Sequence, residues 1–214
     1  MMFRQVYSLD VHLFRLINGK WINSFLDYTM ALAGDLDFWR IPLIVGAIAL
    51  LIFGRFRERL FLVLTALALF IGDAGVVQGI RRVVERPRPY QTLENVRFVD
   101  LHGVEIRSRI PYTGGHSMPS GHVCNHTAVA YFLLRLYGPW ASIVFIWVPF
   151  LAYSRVYTGS HYPSDALVSI FIGLSYAWLI FWVVARLWAQ FAPRWCPSLY
   201  KRYPDLENLW RRKK

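Results

Sequence analysis

Two stretches of this chain, residues 136–154 and 166–185, contain no Asp, Glu, Lys or Arg. Each approaches the ~20 apolar residues that a helix needs to cross the hydrocarbon core of a bilayer. No water is present there to satisfy backbone N–H and C=O groups, so such a run is held to a helix, whose hydrogen bonds are all internal. Three further apolar runs, residues 38–54, 60–83 and 120–134, reach spanning length with their polar flanks. One short run alone could be a buried helix of a soluble protein. Beside two full-length neighbours, the membrane reading holds. Charged residues make up 17% of the 214, against roughly 25% in soluble domains. Trp39, Trp140, Trp188 and Trp195 lie near the ends of apolar runs, where an aromatic interface belt sits.

The predicted fold is therefore an all-α integral membrane protein. It is a bundle of five transmembrane helices, or six if part of the N-terminal region also crosses, with N-terminal interfacial helices. Residues 6–17 mix apolar residues with Asp10, His12 and Arg15, and residues 22–33 are apolar on one side but too short to span. Both read as amphipathic helices lying along the bilayer. The organisation is a single domain over residues 1–214. Interfacial helices occupy 1–35, and the bundle occupies 36–190 with an extracytoplasmic loop at 89–118. A basic cytoplasmic tail occupies 191–214. Within the loop, residues 96–101 and 104–110 alternate around His102-Gly103, the pattern of a β-hairpin.

The net charge is +11. The basic residues fall between apolar runs and form no single stripe, so a nucleic-acid partner is not indicated. Arg55, Arg57 and Arg59 place the loop between the first two spans in the cytoplasm. Counting onward, residues 81–118 lie outside, Arg135 inside, residues 154–163 outside and the tail inside. Arg4, Arg15 and Lys20 then lie outside, against the rule. Lys201, Arg202, Arg211, Arg212, Lys213 and Lys214 suit an anionic leaflet, or form a solvated end. Cys124 and Cys196 fall on opposite sides, so no disulfide is expected. Met1 to Asp10 has no uninterrupted apolar stretch of the signal-peptide kind.

Three polar clusters sit at span ends on one predicted side: Arg81 with Arg88-Pro89, Pro119-Ser120-Gly121-His122, and Ser154-Arg155 with His161 and Asp165. Ionisable groups at membrane depth are costly and mark function by default. Three guanidinium groups can hold a phosphate dianion through bidentate, charge-assisted hydrogen bonds. Ser120 can donate one more, Gly121 admits a close backbone approach, and a helix opening there aims free N–H groups at an anion. His161 with Asp165 can form a His–carboxylate pair that leaves one ring nitrogen as a nucleophile. His122 is left to protonate the departing oxygen. The reaction class is phosphoryl transfer through a phosphohistidine.

Arg81-(six residues)-Arg88-Pro89, Pro119-Ser120-Gly121-His122 and Ser154-Arg155-(five residues)-His161-(three residues)-Asp165 resemble, in order, the three signature motifs of the type 2 phosphatidic acid phosphatase superfamily. The resemblance runs from Arg81 to Asp165. It implies a helical membrane phosphatase with no cofactor and no metal. His161 would be the nucleophile, Asp165 its orienting partner and His122 the general acid, with Arg81, Arg88, Ser120, Gly121 and Arg155 on the phosphate. The first motif usually opens with Lys, and Arg81 stands there instead; the charge is kept, the geometry is not. Members act on lipid phosphates. Undecaprenyl pyrophosphate is the first expectation for an outward-facing site in a bacterial inner membrane, with phosphatidylglycerol phosphate, phosphatidic acid and lipid A beside it.

Other readings use the same residues. A lipid-to-lipid phosphotransferase would differ only in its acceptor. A membrane metalloenzyme could use His122, His126, His161 and Asp165, but the arginines would repel a cation. An anion transporter could use the arginines but has no need for the His161–Asp165 pair or for Pro119-Ser120-Gly121-His122. Asp165 alone could simply cap the last helix. His116 reads as a loop histidine and His126 as satisfied within the bundle. Asp73 needs a partner, and Glu85 is expected to pair with a neighbouring Arg.

Overall fold

The computed structural model describes residues 2–111 and 115–211, without the side chains of residues 2–6. Arg212, Lys213 and Lys214 of the tail, residues 112–114 of the loop and the Arg4 side chain therefore lie outside the described residues. The N-terminal region forms α1 (Met2–Arg15), a π turn, and α2 (Ser24–Gly34). α2 opens on Asn23, whose side chain accepts the Leu26 N–H at 2.8 Å, and α3 (Leu36–Phe53) opens on Asp35, which accepts the Phe38 N–H at 2.7 Å. Short polar side chains at these positions satisfy N–H groups that a helix start leaves without partners. No residue of α3 is buried, as suits a helix surrounded by lipid tails.

α4 (Phe56–Leu67), a π-helical stretch (Ala68–Val77) and α5 (Gln78–Val84) run on as one rod, followed by the short α6 (Pro89–Thr92). After the loop come α7 (Gly121–Tyr137), a 3₁₀ stretch (Pro139–Ile146) leading into α8 (Trp147–Tyr157), α9 (Pro163–Trp195) and α10 (Pro197–Arg202). Four segments are long and apolar enough to cross a membrane: Leu36–Phe53, Phe56–Thr92, Pro139–Tyr157 and Pro163–Trp195. α7, with 17 residues, packs among them. The loop carries the expected hairpin, β1 (Val96–Asp100) against β2 (Gly103–Arg107), antiparallel with Val96 opposite Arg107. The second strand stops at Arg107, short of the expected residue 110. Asp100 accepts the His102 and Gly103 N–H groups at 2.8 and 3.1 Å, and Gly103 takes φ +139°, which favours glycine.

The core is built where α7 meets α9. Phe132, Leu136, Ala177 and Phe181 are buried there with Leu60 and Leu64 of α4. Gly173 makes the approach close: a Cβ there would stand 2.6 Å from the Cys124 carbonyl oxygen. Gly173→Ala should therefore push two helices apart and destabilise the fold by about 1–3 kcal/mol. The measurement is thermal unfolding in detergent, and an unchanged midpoint would show that the helices part freely. Cys124 is buried and Cys196 exposed, both as free thiols.

A second cluster joins α1 to the bundle through Phe14, Val96, Val123, Val148 and Tyr162. The sequence suggests that the polar residues of α1 face water. Instead Asp10 is buried, and beyond α1 Asn18 donates to the Arg97 and Tyr157 carbonyls at 2.7 and 2.8 Å. Leu9 and Leu13 face outward. The buried side of α1 thus meets the protein through apolar packing at Phe14 and the polar bonds of Asp10.

Candidate active site

The three clusters gather because consecutive long helices alternate in direction. The rod that starts at Phe56 ends near Arg81 and Arg88; α7 starts at Gly121; α8 ends at Tyr157 and α9 starts at Pro163. All four ends fall on one side of the bundle. Hydrogen bonds then lock them. Arg81 Nε donates to the Pro119 carbonyl at 3.1 Å. The Ser120 N–H donates to Ser169 Oγ at 2.7 Å, and Ser169 Oγ donates to the Asp165 carbonyl at 2.5 Å. Arg155 reaches the Gly34 carbonyl at 3.2 Å and Ser160 Oγ at 3.1 Å. His122 and His161 both lie within electrostatic reach of Arg81, Arg88 and Arg155. Asp73, without a role in the sequence, sits beside the start of α7, where a Gly121 Cβ would be 2.8 Å from its Oδ1. It supplies negative charge near Arg81.

His161 is 3% exposed. Its Nδ1 lies 2.5 Å from the Ser117 carbonyl oxygen. A carbonyl can only accept, so Nδ1 carries the proton and Nε2 presents a lone pair. Burial, followed by the charges of Arg88 and Arg155, holds the imidazole well below its ordinary proton affinity.

The expected pairing of His161 with Asp165 is not made: among the described residues no hydrogen bond joins them. Asp165, fully buried, reaches back to accept the Tyr162 N–H at 2.9 Å, so the helix-capping alternative is realised. Its other contacts are Arg86 Nη1 at 2.5 Å and the Ser117 hydroxyl. The reason is charge. A buried carboxylate needs a cation and several donors, and Arg86 supplies what a neutral imidazole cannot. Asp165 is still linked to His161 through one intermediate: it accepts from the Ser117 hydroxyl, and the Ser117 backbone carbonyl bonds the His161 ring.

Arg86 is bound on its other side as well. Its Nη2 meets Asp10 Oδ2 at 2.5 Å, its Nη1 donates to Ser164 Oγ at 2.7 Å, and its guanidinium lies 4.3 Å from the Tyr162 ring centroid. Its own carbonyl accepts the Ser117 N–H at 2.7 Å. Asp10 closes the network by accepting the Ser164 N–H and Oγ–H at 2.8 and 2.6 Å. Sequence reasoning missed Asp10, Arg86 and Ser117. The available signal was Arg86 itself, an arginine at a span end two residues before Arg88, which demands a buried counter-charge.

Three buried donors at this end have no acceptor among the described residues: Arg88 Nε, Arg155 Nε and Ser120 Oγ. They lie around His122 and His161, and an anion with several oxygens is the acceptor that such a set fits. His126 Nδ1 donates to the His122 carbonyl at 2.9 Å, so it is satisfied within the bundle. Glu85 is exposed in a left-handed turn at φ +47° and, among the described residues, makes no ion pair. No group of three His, Cys, Asp or Glu among the described residues is placed to hold a metal. A cavity of about 590 Å³ lies at the far end, between Phe56, Leu60, Trp188 and Trp195. Its lining is apolar apart from Arg59 and Cys196, so it offers no nucleophile–base pair.

Residues 59–189 match the profile of the PAP2 superfamily, a range that contains every motif residue named above. Over 189 residues the chain is 29% identical to a lipid A 4'-phosphatase of Bacteroides thetaiotaomicron, covering 86% of this chain and 80% of that one. It is 36% identical over 135 residues to a decaprenylphosphoryl-5-phosphoribose phosphatase of Mycobacterium tuberculosis, covering 63% of this chain and 65% of the relative. Among solved structures it resembles Aquifex aeolicus LpxE, with a TM-score of 0.58 and 26% identity over 80% of this chain and 94% of that one. The fold is also that of a transmembrane PAP2-type phosphatidylglycerolphosphate phosphatase from Bacillus subtilis, with a TM-score of 0.55, 21% identity and coverage of 82% and 84%.

Proposed function

On the premise that this chain belongs to the PAP2 superfamily of membrane phosphatases, we propose that it removes phosphate from a lipid through a phosphohistidine at His161. The observation that carries this reading is a buried, neutral imidazole with a free Nε2 lone pair, set among Arg81, Arg88 and Arg155. The arginines, Ser120 Oγ and the free N–H groups at the Gly121 end of α7 hold the three non-bridging oxygens and stabilise the charge that spreads over them. Nε2 attacks phosphorus as the bond to the lipid oxygen breaks, and His122 gives that oxygen a proton. Water then attacks the phosphohistidine with His122 taking its proton, and phosphate leaves. Asp165 acts as a positioning residue through Ser117. No metal is required in this scheme.

The site lies on the extracytoplasmic side of a bacterial inner membrane in this reading, because Arg55, Arg57 and Arg59 occupy the opposite end. α7 also spans in this reading, the third of five spans in chain order, and α1 and α2 lie at the interface. The substrate is a lipid-borne phosphate, from the set that holds undecaprenyl pyrophosphate, phosphatidylglycerol phosphate, phosphatidic acid and lipid A.

The test is phosphate release from such lipids by purified protein in detergent with a chelator present. Activity should persist, vanadate should inhibit it, and a phosphoprotein labile to acid but stable to base should be trapped. Activity that vanishes in chelator and returns with a divalent cation would overturn the scheme.

A further inference from the structure

A buried carboxylate kept for structure gathers donors and a cation, as Asp10 and Asp165 do. Asp73 does not. It lies half-buried in the π-helical stretch Ala68–Val77, about two turns before Arg81 in the same rod. Among the described residues its carboxylate makes no hydrogen bond and no ion pair. The donors within its electrostatic reach are Arg81, Cys124 and Tyr176, and each is committed elsewhere. Arg81 donates from Nε to the Pro119 carbonyl. The Cys124 thiol donates to the Ser169 carbonyl at 3.3 Å, and the Tyr176 hydroxyl donates to Asn125 Oδ1 at 3.0 Å.

The place of this carboxylate is nonetheless specific. A Cβ on Gly121 would stand 2.8 Å from Asp73 Oδ1 and 3.7 Å from Arg81 Nη2. The glycine that opens α7 therefore leaves room for a carboxylate beside an arginine of the phosphate site. Gly72 fixes the other side of Asp73, since a Cβ there would stand 2.6 Å from the Tyr176 ring. π turns are rare and are found frequently at functional sites. Arg81 is aimed by its bond to Pro119, so Asp73 contributes its field and not a contact. Three arginines and a helix N-terminus hold a phosphate strongly before the reaction and after it. A fixed negative charge at the edge of that set opposes the substrate phosphate, the reacting phosphoryl group and the product phosphate nearly alike, because all are anions of similar charge. Uniform weakening of this kind leaves the chemical step unchanged and speeds the departure of product.

We propose that Asp73 is a counter-charge that loosens the grip of the arginine set on phosphate, so that product phosphate leaves between turnovers. The inference rests on the phosphatase reading. It assigns Asp73 no contact with substrate and no part in aiming Arg81.

The experiment measures inhibition by inorganic phosphate and by vanadate in wild type, Asp73→Asn and Asp73→Ala, together with KM and kcat for the fastest of the four lipids named above. Both variants remove the charge, and alanine also removes any amide that could donate to the anion. Both inhibition constants and KM should fall together by about 5-fold or more, with kcat unchanged or lower. A carboxylate that propped Arg81 or α7 would act with the opposite sign, and its loss would raise all three constants. Unchanged or raised constants, or tightening by asparagine alone, would overturn the counter-charge. Because Asp73 makes no bond within the described fold and a charge at membrane depth is costly, unfolding midpoints in detergent should hold or rise in both variants. A lower midpoint would give Asp73 a structural role and overturn the proposal as well. Each of these failures leaves the phosphatase reading standing on wild-type activity. If wild type releases phosphate from none of the four lipids and neither anion inhibits it, that reading falls, and the counter-charge with it.

Discussion

Replacing His161 with alanine should lower kcat by on the order of 10⁴-fold or more, the scale at which a covalent nucleophile is lost. Phosphate binding should survive, because Arg81, Arg88, Arg155 and Ser120 are untouched; vanadate or inorganic phosphate protection against unfolding measures this. No phosphoprotein should be trapped. Comparable loss of protection would mean that His161 merely builds the pocket. The pH dependence of wild type adds a sign. Attack requires unprotonated Nε2, and burial with Arg88 and Arg155 holds the imidazole well below its ordinary range. The acid limb of kcat/KM, which reports the free enzyme, should therefore lie below the pH at which an exposed imidazole titrates. A bound phosphate dianion offsets the arginine charges, so the acid limb of kcat should lie higher than that of kcat/KM. Two coincident limbs would argue that the arginines do not face the nucleophile.

Arg86→Ala is expected to be nearly as severe, although Arg86 makes no contact with substrate in this scheme. It would leave the carboxylates of Asp10 and Asp165, 4% and 0% exposed, without the cation that separates them. Removing one partner of a buried ion pair costs about 3–5 kcal/mol. The unfolding midpoint in detergent should fall accordingly. Asp10→Asn/Arg86→Gln, which removes charge of both signs, should recover part of that loss, since the two changes act on one network. In folded protein, kcat should drop about 10–100-fold with little change in KM, the scale found for residues that orient a catalytic group. The path is Arg86 to Asp165, Asp165 to Ser117, and the Ser117 carbonyl to His161. A midpoint shift with kcat per folded molecule unchanged would confine Arg86 to stability.

Much of the site was legible in the chain because its chemistry is carried by residue type and spacing. Arg81, Arg88, Ser120, His122, Arg155, His161 and Asp165 lie at span ends, and alternating spans leave those ends on one face. The hairpin at residues 96–107 was legible for a similar reason: alternation with a turn signal is a local property. The partner of Asp165 was not. Tyr162 and Asp165 are three residues apart and their bond is local, but Arg86, Ser117 and Asp10 come from three other segments. The docking of α1 through Asp10 and Phe14 was hidden as well, since an amphipathic helix has the same pattern whether it rests on lipid or on protein.

The sequence by itself determined the solvent, the helical rods and the chemical cast of the site. Charge-free runs leave the backbone no alternative to a helix in lipid, and costly ionisable groups persist there only at a site. Tertiary structure alone decided which charges meet. Pairing of buried ions depends on distances of a few ångströms between segments far apart in the chain. Burial then selected, for Asp165, the available cation over the neutral imidazole beside it in sequence.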